Sequence, residues 1–102
     1  MQNKIQTMLN FAIRAKKTVY GIDNIVVSKR VKVVVVCRSL SDRSLKRLLQ
    51  ERNDVPIIKT KAFDLCDIAH KSGKAIAVTE YNMAKEIINN INSEYQLISE
   101  GV

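Results

Sequence analysis

Apolar residues recur along the chain at two spacings, one typical of helices and one typical of buried strands. Near the N-terminus, Ile5, Leu9 and Ala12 repeat every three or four residues with polar side chains between them. This spacing predicts an amphipathic helix over residues 3–16. The most apolar segment, Val31 to Cys37, does not alternate, and it predicts a central strand that helices cover on both faces.

The rest of the chain divides in the same way into short strands and helices. The other predicted strands are residues 18–20, 55–59 and 74–79. The other predicted helices are residues 23–28, a helix capped by Ser41 with Leu45, Leu48 and Leu49 inward, a helix capped by Thr60 with Leu65, Cys66 and Ala69, and a last helix that buries Met83, Ile87, Ile88 and Ile91. Residues 95–102 have no clear pattern and are expected to form a partly disordered tail.

Helices and strands therefore alternate throughout the chain. This order predicts a single α/β domain over residues 1–94. The expected architecture is a three-layer α/β/α sandwich around a small mixed sheet that is largely parallel.

Basic side chains are concentrated in the first three-fifths of the chain. Residues 1–61 hold 14 Lys and Arg against 4 Asp and Glu, whereas residues 62–102 hold 3 against 6, and the whole chain carries a formal charge of +7. This asymmetry predicts a polyanionic partner, most simply nucleic acid, although a solubilising surface charge would give the same composition. The basic positions of the third helix fit either a solvated face or a binding surface, and they are Arg43, Lys46, Arg47 and Arg52.

No pattern in the sequence indicates catalysis or a cofactor. There is no phosphate-binding loop, dinucleotide fingerprint or CxxC pair, and Cys37 and Cys66 lie in apolar segments typical of buried thiols. His70, the single histidine, is interpreted as a helix-end or RNA-loop residue. The N-terminus lacks the apolar run of a signal peptide, and no segment is long enough to span a membrane. We predict a cytoplasmic, non-catalytic protein with no cofactor, no metal, no small-molecule substrate and no membrane partner.

The apolar central strand leads directly into a basic loop. Where a strand of an α/β sheet ends and a helix begins, unpaired N–H groups and the positive end of the helix dipole point outward, and ligands bind at that edge. Arg38, Ser39 and Ser41 follow the strand that ends at Cys37. The loops expected beside them supply Lys59, Thr60, Lys61, Gly21, Asp23 and Asn24. Together these residues predict a phosphate-binding surface.

Four stretches of the chain resemble a known family. NFAIRAKKTVYG, VKVVVVCRSLSD, VPIIKTKAFDLCDIA and KAIAVTE are similar to the ribosomal protein seven-Ae/thirty-e family, in particular to its small bacterial members. The resemblance extends over roughly residues 4–92. It implies an α/β/α protein that binds kink-turns, which are sharply bent internal loops in ribosomal and other structured RNAs.

The resemblance also implies which residues contact RNA. In the family, a Gly-x-Asn-Glu segment opens the second helix and a lysine follows about one turn later. The matching segment here begins at Gly21 and continues through Asp23 and Asn24, and the lysine position falls on Val27. Asn24 retains an amide that can read a base edge, whereas Asp23 adds a charge that repels phosphate. Lys29 is the candidate replacement for the missing cation.

Two further contact loops are implied by the same resemblance. The loop after the central strand, which surrounds a flipped-out base in the family, matches Arg38, Ser39 and Leu40. The third loop spans residues 70–74 and is basic here through Lys71 and Lys74. The alternative function is a protein-interaction module that retains this fold and has lost specific RNA recognition.

Overall fold

The helices and strands follow one another much as the apolar spacing predicts. The structure, a computed structural model, describes residues 4–61, 74–91 and 95–99. Its elements in chain order are α1 (Lys4–Arg14), β1 (Thr18–Tyr20), α2 (Ile22–Val27), β2 (Val33–Val36), α3 (Asp42–Glu51), β3 (Ile57–Thr60), β4 (Ala75–Val78), α4 (Tyr81–Asn89) and β5 (Tyr95–Ser99). The helix predicted after Thr60 lies outside the described residues.

The strands form one five-stranded sheet in the order β1-β4-β2-β3-β5. β2 and β3 are parallel, whereas β4 is antiparallel to both β1 and β2, and β5 is antiparallel to β3. The prediction of a largely parallel sheet is therefore wrong, although the sheet is mixed. The error has a physical cause, because a strand becomes apolar on both faces when helices cover both faces, whatever the direction of its neighbours.

Helices cover both faces of this sheet, which confirms the predicted three layers. α1 and α4 pack against the face that carries Val33, Val35 and Ile58. α2 and α3 pack against the opposite face, which carries Val34 and Val36. All four residues of β2 are fully buried, two on each side, as expected for the central strand of a three-layer fold.

α3 begins at the predicted cap and ends in a way that the sequence pattern did not predict. The Ser41 hydroxyl accepts a hydrogen bond from the Ser44 N–H at 3.2 Å, which is the expected N-cap contact. Arg52, predicted to lie on the exposed face of this helix, is instead buried at its C-terminal end. Its guanidinium donates to the Ser28 carbonyl, and its Nε lies 3.2 Å from Asp54 Oδ1.

The segment that begins at Tyr95 is a strand and not an irregular tail. Residues Tyr95–Ser99 pair with Ile57–Thr60, and the Tyr95 side chain is buried. The register shifts between Ile57 and Ile58. A shift of this kind interrupts strict alternation, which explains why the sequence pattern did not reveal the strand.

The described helices are short. The longest of them, α1, has 11 residues, whereas a membrane-spanning helix needs about 20 predominantly apolar residues. Within residues 4–61, 74–91 and 95–99, no helix is long and apolar enough to cross a membrane.

Candidate nucleic-acid interface

The loops predicted to bind phosphate meet at one edge of the sheet. β1, β2 and β3 run in the same direction, so their carboxyl ends lie together, and β4 runs the other way and begins beside them. The register fixes this arrangement, since Val36 pairs with Ala75 and Tyr20 pairs with Ile76. We call the surface formed by residues 21–24, 37–41, 59–61 and 74 the carboxyl edge.

The loop after β2 is bonded to the strands on both sides. The Arg38 N–H donates to Thr60 Oγ1 at 2.9 Å, which connects the loop to the end of β3. The Cys37 N–H donates to the Lys74 carbonyl at 2.7 Å, and Lys74 Nζ donates to the Ser39 carbonyl at 3.2 Å, which connect it to the start of β4. These bonds give the centre of the carboxyl edge a defined backbone conformation.

Side chains of this loop also take part in local packing. The Ser39 hydroxyl lies 3.1 Å from the buried Cys37 sulfur. Leu40 is half-buried and packs against the core between the sheet and α2 and α3. Ser41 is exposed, and its hydroxyl caps α3. Leu40 and Ser41 therefore shape the loop in addition to being predicted RNA contacts.

Gly21 gives the second contact segment its conformation. Its φ is 84°, in the left-handed region that favours glycine, and it precedes the first turn of α2. A Cβ at this position would come no closer than 4.0 Å to Asn24 Nδ2, so the requirement for glycine arises from the backbone and not from space. The Asn24 amide donates to the Tyr20 carbonyl at 2.9 Å, which fixes its orientation beside the turn.

The Asp23 carboxylate has a cationic partner that the sequence did not reveal. Arg47 Nη1 donates to Asp23 Oδ1 at 2.5 Å, and this pair connects α3 to α2. Both side chains are exposed, 52% for Arg47 and 85% for Asp23, so the pair contributes roughly 0–1 kcal/mol to stability. Its main consequence is electrostatic, because Arg47 offsets the negative charge expected to repel phosphate.

The predicted cations do not all lie at the carboxyl edge. Arg38, Lys61 and Lys74 are exposed there, and Lys59 is half-buried on β3. Lys29, the candidate replacement for the cation missing at Val27, follows the C-terminal end of α2 and lines a cavity at the opposite edge of the sheet. Lys71 and His70 lie outside the described residues.

The basic positions of α3 do not form one continuous surface. Arg43 and Lys46 are exposed, Arg47 pairs with Asp23, and Arg52 is buried at the helix end. In the part of the chain that the structure describes, no group of three His, Cys, Asp or Glu side chains could hold a metal ion.

Comparisons with known proteins identify the fold but no family. No protein-family model matches the chain, and no curated protein matches it. A solved structure of a protein with unknown function from Bacillus halodurans C is similar, with a TM-score of 0.77 and 18% sequence identity. The similarity covers 86% of this chain and 96% of that chain. At this identity, the similarity shows that the two proteins share a fold.

Proposed function

We propose that this protein is a non-catalytic, cytoplasmic RNA-binding protein that recognises structured RNA of the kink-turn type, such as ribosomal RNA, through its carboxyl edge. The observation that carries the proposal is the meeting of exposed Arg38, Lys61 and Lys74 on loops from three neighbouring strands. Exposed lysine and arginine side chains on a surface held by hydrogen bonds are the groups that typically contact RNA phosphates. Such contacts supply affinity without the concave pocket that a catalytic site needs.

Base recognition is assigned to the turn at Gly21. The Asn24 amide uses one of its hydrogens on the Tyr20 carbonyl, which leaves a second hydrogen and the amide oxygen for a base edge. The pairing of Asp23 with Arg47 supports this assignment, because it lowers the electrostatic cost of bringing phosphate close to the turn.

A second candidate function is binding to another protein through the same turn. Val27, at the position where the resembling family has a lysine, has 73% of its surface exposed. An exposed apolar side chain beside Asp23 and Asn24 suits a protein surface better than it suits phosphate. If this alternative is right, the protein binds its protein partner without RNA, and its affinity for RNA is low and falls only weakly with salt.

The two functions are separated by measuring RNA affinity as a function of salt. The RNAs are a kink-turn and an unkinked duplex of the same base composition. We expect tighter binding to the kink-turn and a steep salt dependence. Replacing Arg38, Lys61 and Lys74 with Ala is expected to reduce the slope of log affinity against log salt by about 0.7–0.9 for each phosphate that the variant no longer neutralises.

A matched control removes the same charge elsewhere. Arg14, Lys17 and Lys46 are also one arginine and two lysines, all exposed and outside the segments that form the carboxyl edge. Their replacement with Ala is expected to leave most of the slope intact. Equal losses from the two triple variants would show that the protein binds RNA through its overall charge and not through the carboxyl edge.

A further inference from the structure

A cavity lies at the edge of the sheet opposite the carboxyl edge. Its volume is about 440 Å³, within the range of sites that hold small molecules. It is bounded by the connection from α2 to β2, the connection from α3 to β3, and the first two turns of α4. We call it the amino-edge cleft, because β2 and β3 begin there.

One part of the cleft is apolar and carries an aromatic ring. Val31 and Val55 are buried core residues, and Ala84 and Ile88 line the side formed by α4. Tyr81, the first residue of α4, also lines the cleft while 64% of its surface is exposed. An exposed aromatic ring beside an apolar wall is a suitable surface for stacking a planar group.

The other part of the cleft is strongly cationic. Lys29, Lys32 and Lys85 are exposed and line it together with Arg52. Asp54 is the only acidic residue among the lining residues that the structure describes, and Arg52 Nη2 donates to its Oδ2 at 3.4 Å in addition to the Nε contact. Arg52 thus neutralises the one carboxylate, and the three lysines remain as an uncompensated positive charge on the lining.

Glu80, which caps the start of α4 beside the cleft, has another role. The Glu80 carboxylate accepts hydrogen bonds from the N–H groups of Asn82 at 3.1 Å and Met83 at 2.7 Å. Its charge is directed to the first turn of the helix. The cleft therefore combines a stackable ring, an apolar wall and three lysines.

We propose that the amino-edge cleft binds a nucleoside phosphate, with the base on the Tyr81 ring and the apolar wall and the phosphate on Lys29, Lys32 and Lys85. Lysine ammonium groups bind phosphate as flexible point charges. An inorganic anion would make no use of the ring, and an uncharged aromatic molecule would make no use of the lysines. This site is separate from the RNA interface proposed above and does not depend on it.

The test is a titration of the full chain with AMP and with UMP, followed by calorimetry and by amide chemical shifts. Adenosine and inorganic phosphate are the two half-ligand controls. We expect both nucleotides to bind at least about tenfold more tightly than either half, because base stacking and phosphate contacts act together. Shifts are expected at residues 29–32, 54–55 and 81–88. Equal affinity for adenosine or for inorganic phosphate would overturn the proposal, as would shifts confined to other residues.

Two substitutions and two matched controls locate the site. Tyr81→Ala removes the ring, and Phe11→Ala removes a comparably exposed ring from α1, 57% against 64%. Lys85→Glu reverses a charge in the cleft, and Lys46→Glu reverses an exposed lysine on α3. We expect the first member of each pair to weaken AMP binding by about tenfold and the second to change it less than twofold. Equal effects within either pair would overturn the assignment.

The source of the nucleotide is distinguished by one further probe. A 5′-phosphorylated RNA trinucleotide that binds more tightly than AMP, and that loses affinity in Tyr81→Ala, would identify an RNA end as the ligand. Weaker binding of the trinucleotide than of AMP would identify a free nucleotide. The Arg38, Lys61 and Lys74 triple variant is expected to bind AMP normally, so a failure of the RNA proposal leaves this result unchanged.

Discussion

The two edges of the sheet present the same cationic residue types in different shapes. At the carboxyl edge, Arg38, Lys61 and Lys74 lie on segments joined by hydrogen bonds between backbone and side-chain groups, without an aromatic ring among the described residues there. At the amino edge, lysines surround a concave cavity with Tyr81 on its side. A basic cluster on an open loop surface suits a long polyanion, whereas a basic cluster beside a concave, partly apolar wall suits a small anion.

The largest effect is expected from a charge in β2, because both edges of the sheet are built on this buried strand. Val34 and Val35 are fully buried on opposite faces, so we expect Val34→Asp and Val35→Asp each to cost several kcal/mol against a total stability of about 5–15 kcal/mol. Thermal denaturation of each variant is the measurement. Val27→Asp is the control, because Val27 is exposed, and it is expected to remain folded. A folded, fully cooperative Val34→Asp or Val35→Asp variant would contradict burial of β2 on both faces.

A substitution at Arg52 is expected to weaken binding at the amino edge, where Arg52 lines the cleft, and to leave RNA binding at the carboxyl edge unchanged. Arg52→Ala removes a buried side chain and its bond to the Ser28 carbonyl, at a cost of about 1–3 kcal/mol in the free energy of unfolding. Chemical denaturation measures this loss. Arg43→Ala, an exposed change in the same helix, is expected to stay within about 0.5 kcal/mol of the parent chain. If Arg52→Ala weakened RNA binding as much as AMP binding, the two edges would not be independent.

Removing the N-cap of α3, which lies at the carboxyl edge, is expected to lower stability by a smaller amount. Ser41→Ala removes the oxygen that accepts from the Ser44 N–H, and we expect a loss of about 1 kcal/mol in the free energy of unfolding. Ser41→Asp keeps an acceptor at the cap and is expected to retain stability. Urea denaturation of the two variants measures the difference, and equal losses would show that the cap bond does not stabilise α3.

The smallest expected effect concerns the Asp23–Arg47 pair. Asp23→Asn removes the carboxylate and leaves Arg47 available to phosphate, while stability changes by less than about 1 kcal/mol. Combined with Val27→Lys, it is expected to tighten kink-turn binding by about 1 kcal/mol, or roughly fivefold. Fluorescence anisotropy with labelled RNA measures the change. Unaltered affinity in a folded double variant would favour the protein-interaction function.

Local features of this fold could be predicted from the sequence. The helical spacing of Ile5, Leu9 and Ala12, the apolar residues of β2 and the cap at Ser41 each depend on neighbours within a few residues. The same patterns predicted correctly that the loops after β1, β2 and β3 would meet. This follows because strands that run in one direction end at one edge.

The remaining features depend on contacts between distant segments. The position of β4 between β1 and β2, and the pairing of β5 with β3, leave no periodic signal in the residues concerned. Arg47 and Asp23 are 24 residues apart, and nothing local links them. The amino-edge cleft combines three separate segments, so no single stretch of sequence indicates a site for a small molecule there.

The place of β4 in the sheet has a consequence for synthesis of the chain. β1 is an edge strand whose neighbour in the sheet is β4, and the register pairs Thr18 with Val78. A growing polypeptide therefore cannot complete β1 until residues near 78 have left the ribosome, long after residues 18–20 have emerged. Loop closure over this distance favours slow folding, because its entropic cost comes before the contacts that offset it. The basic segment before β4 consequently leaves the ribosome before β1 can pair, so the turn at Gly21 and the rest of the carboxyl edge form only after most of the chain has been made.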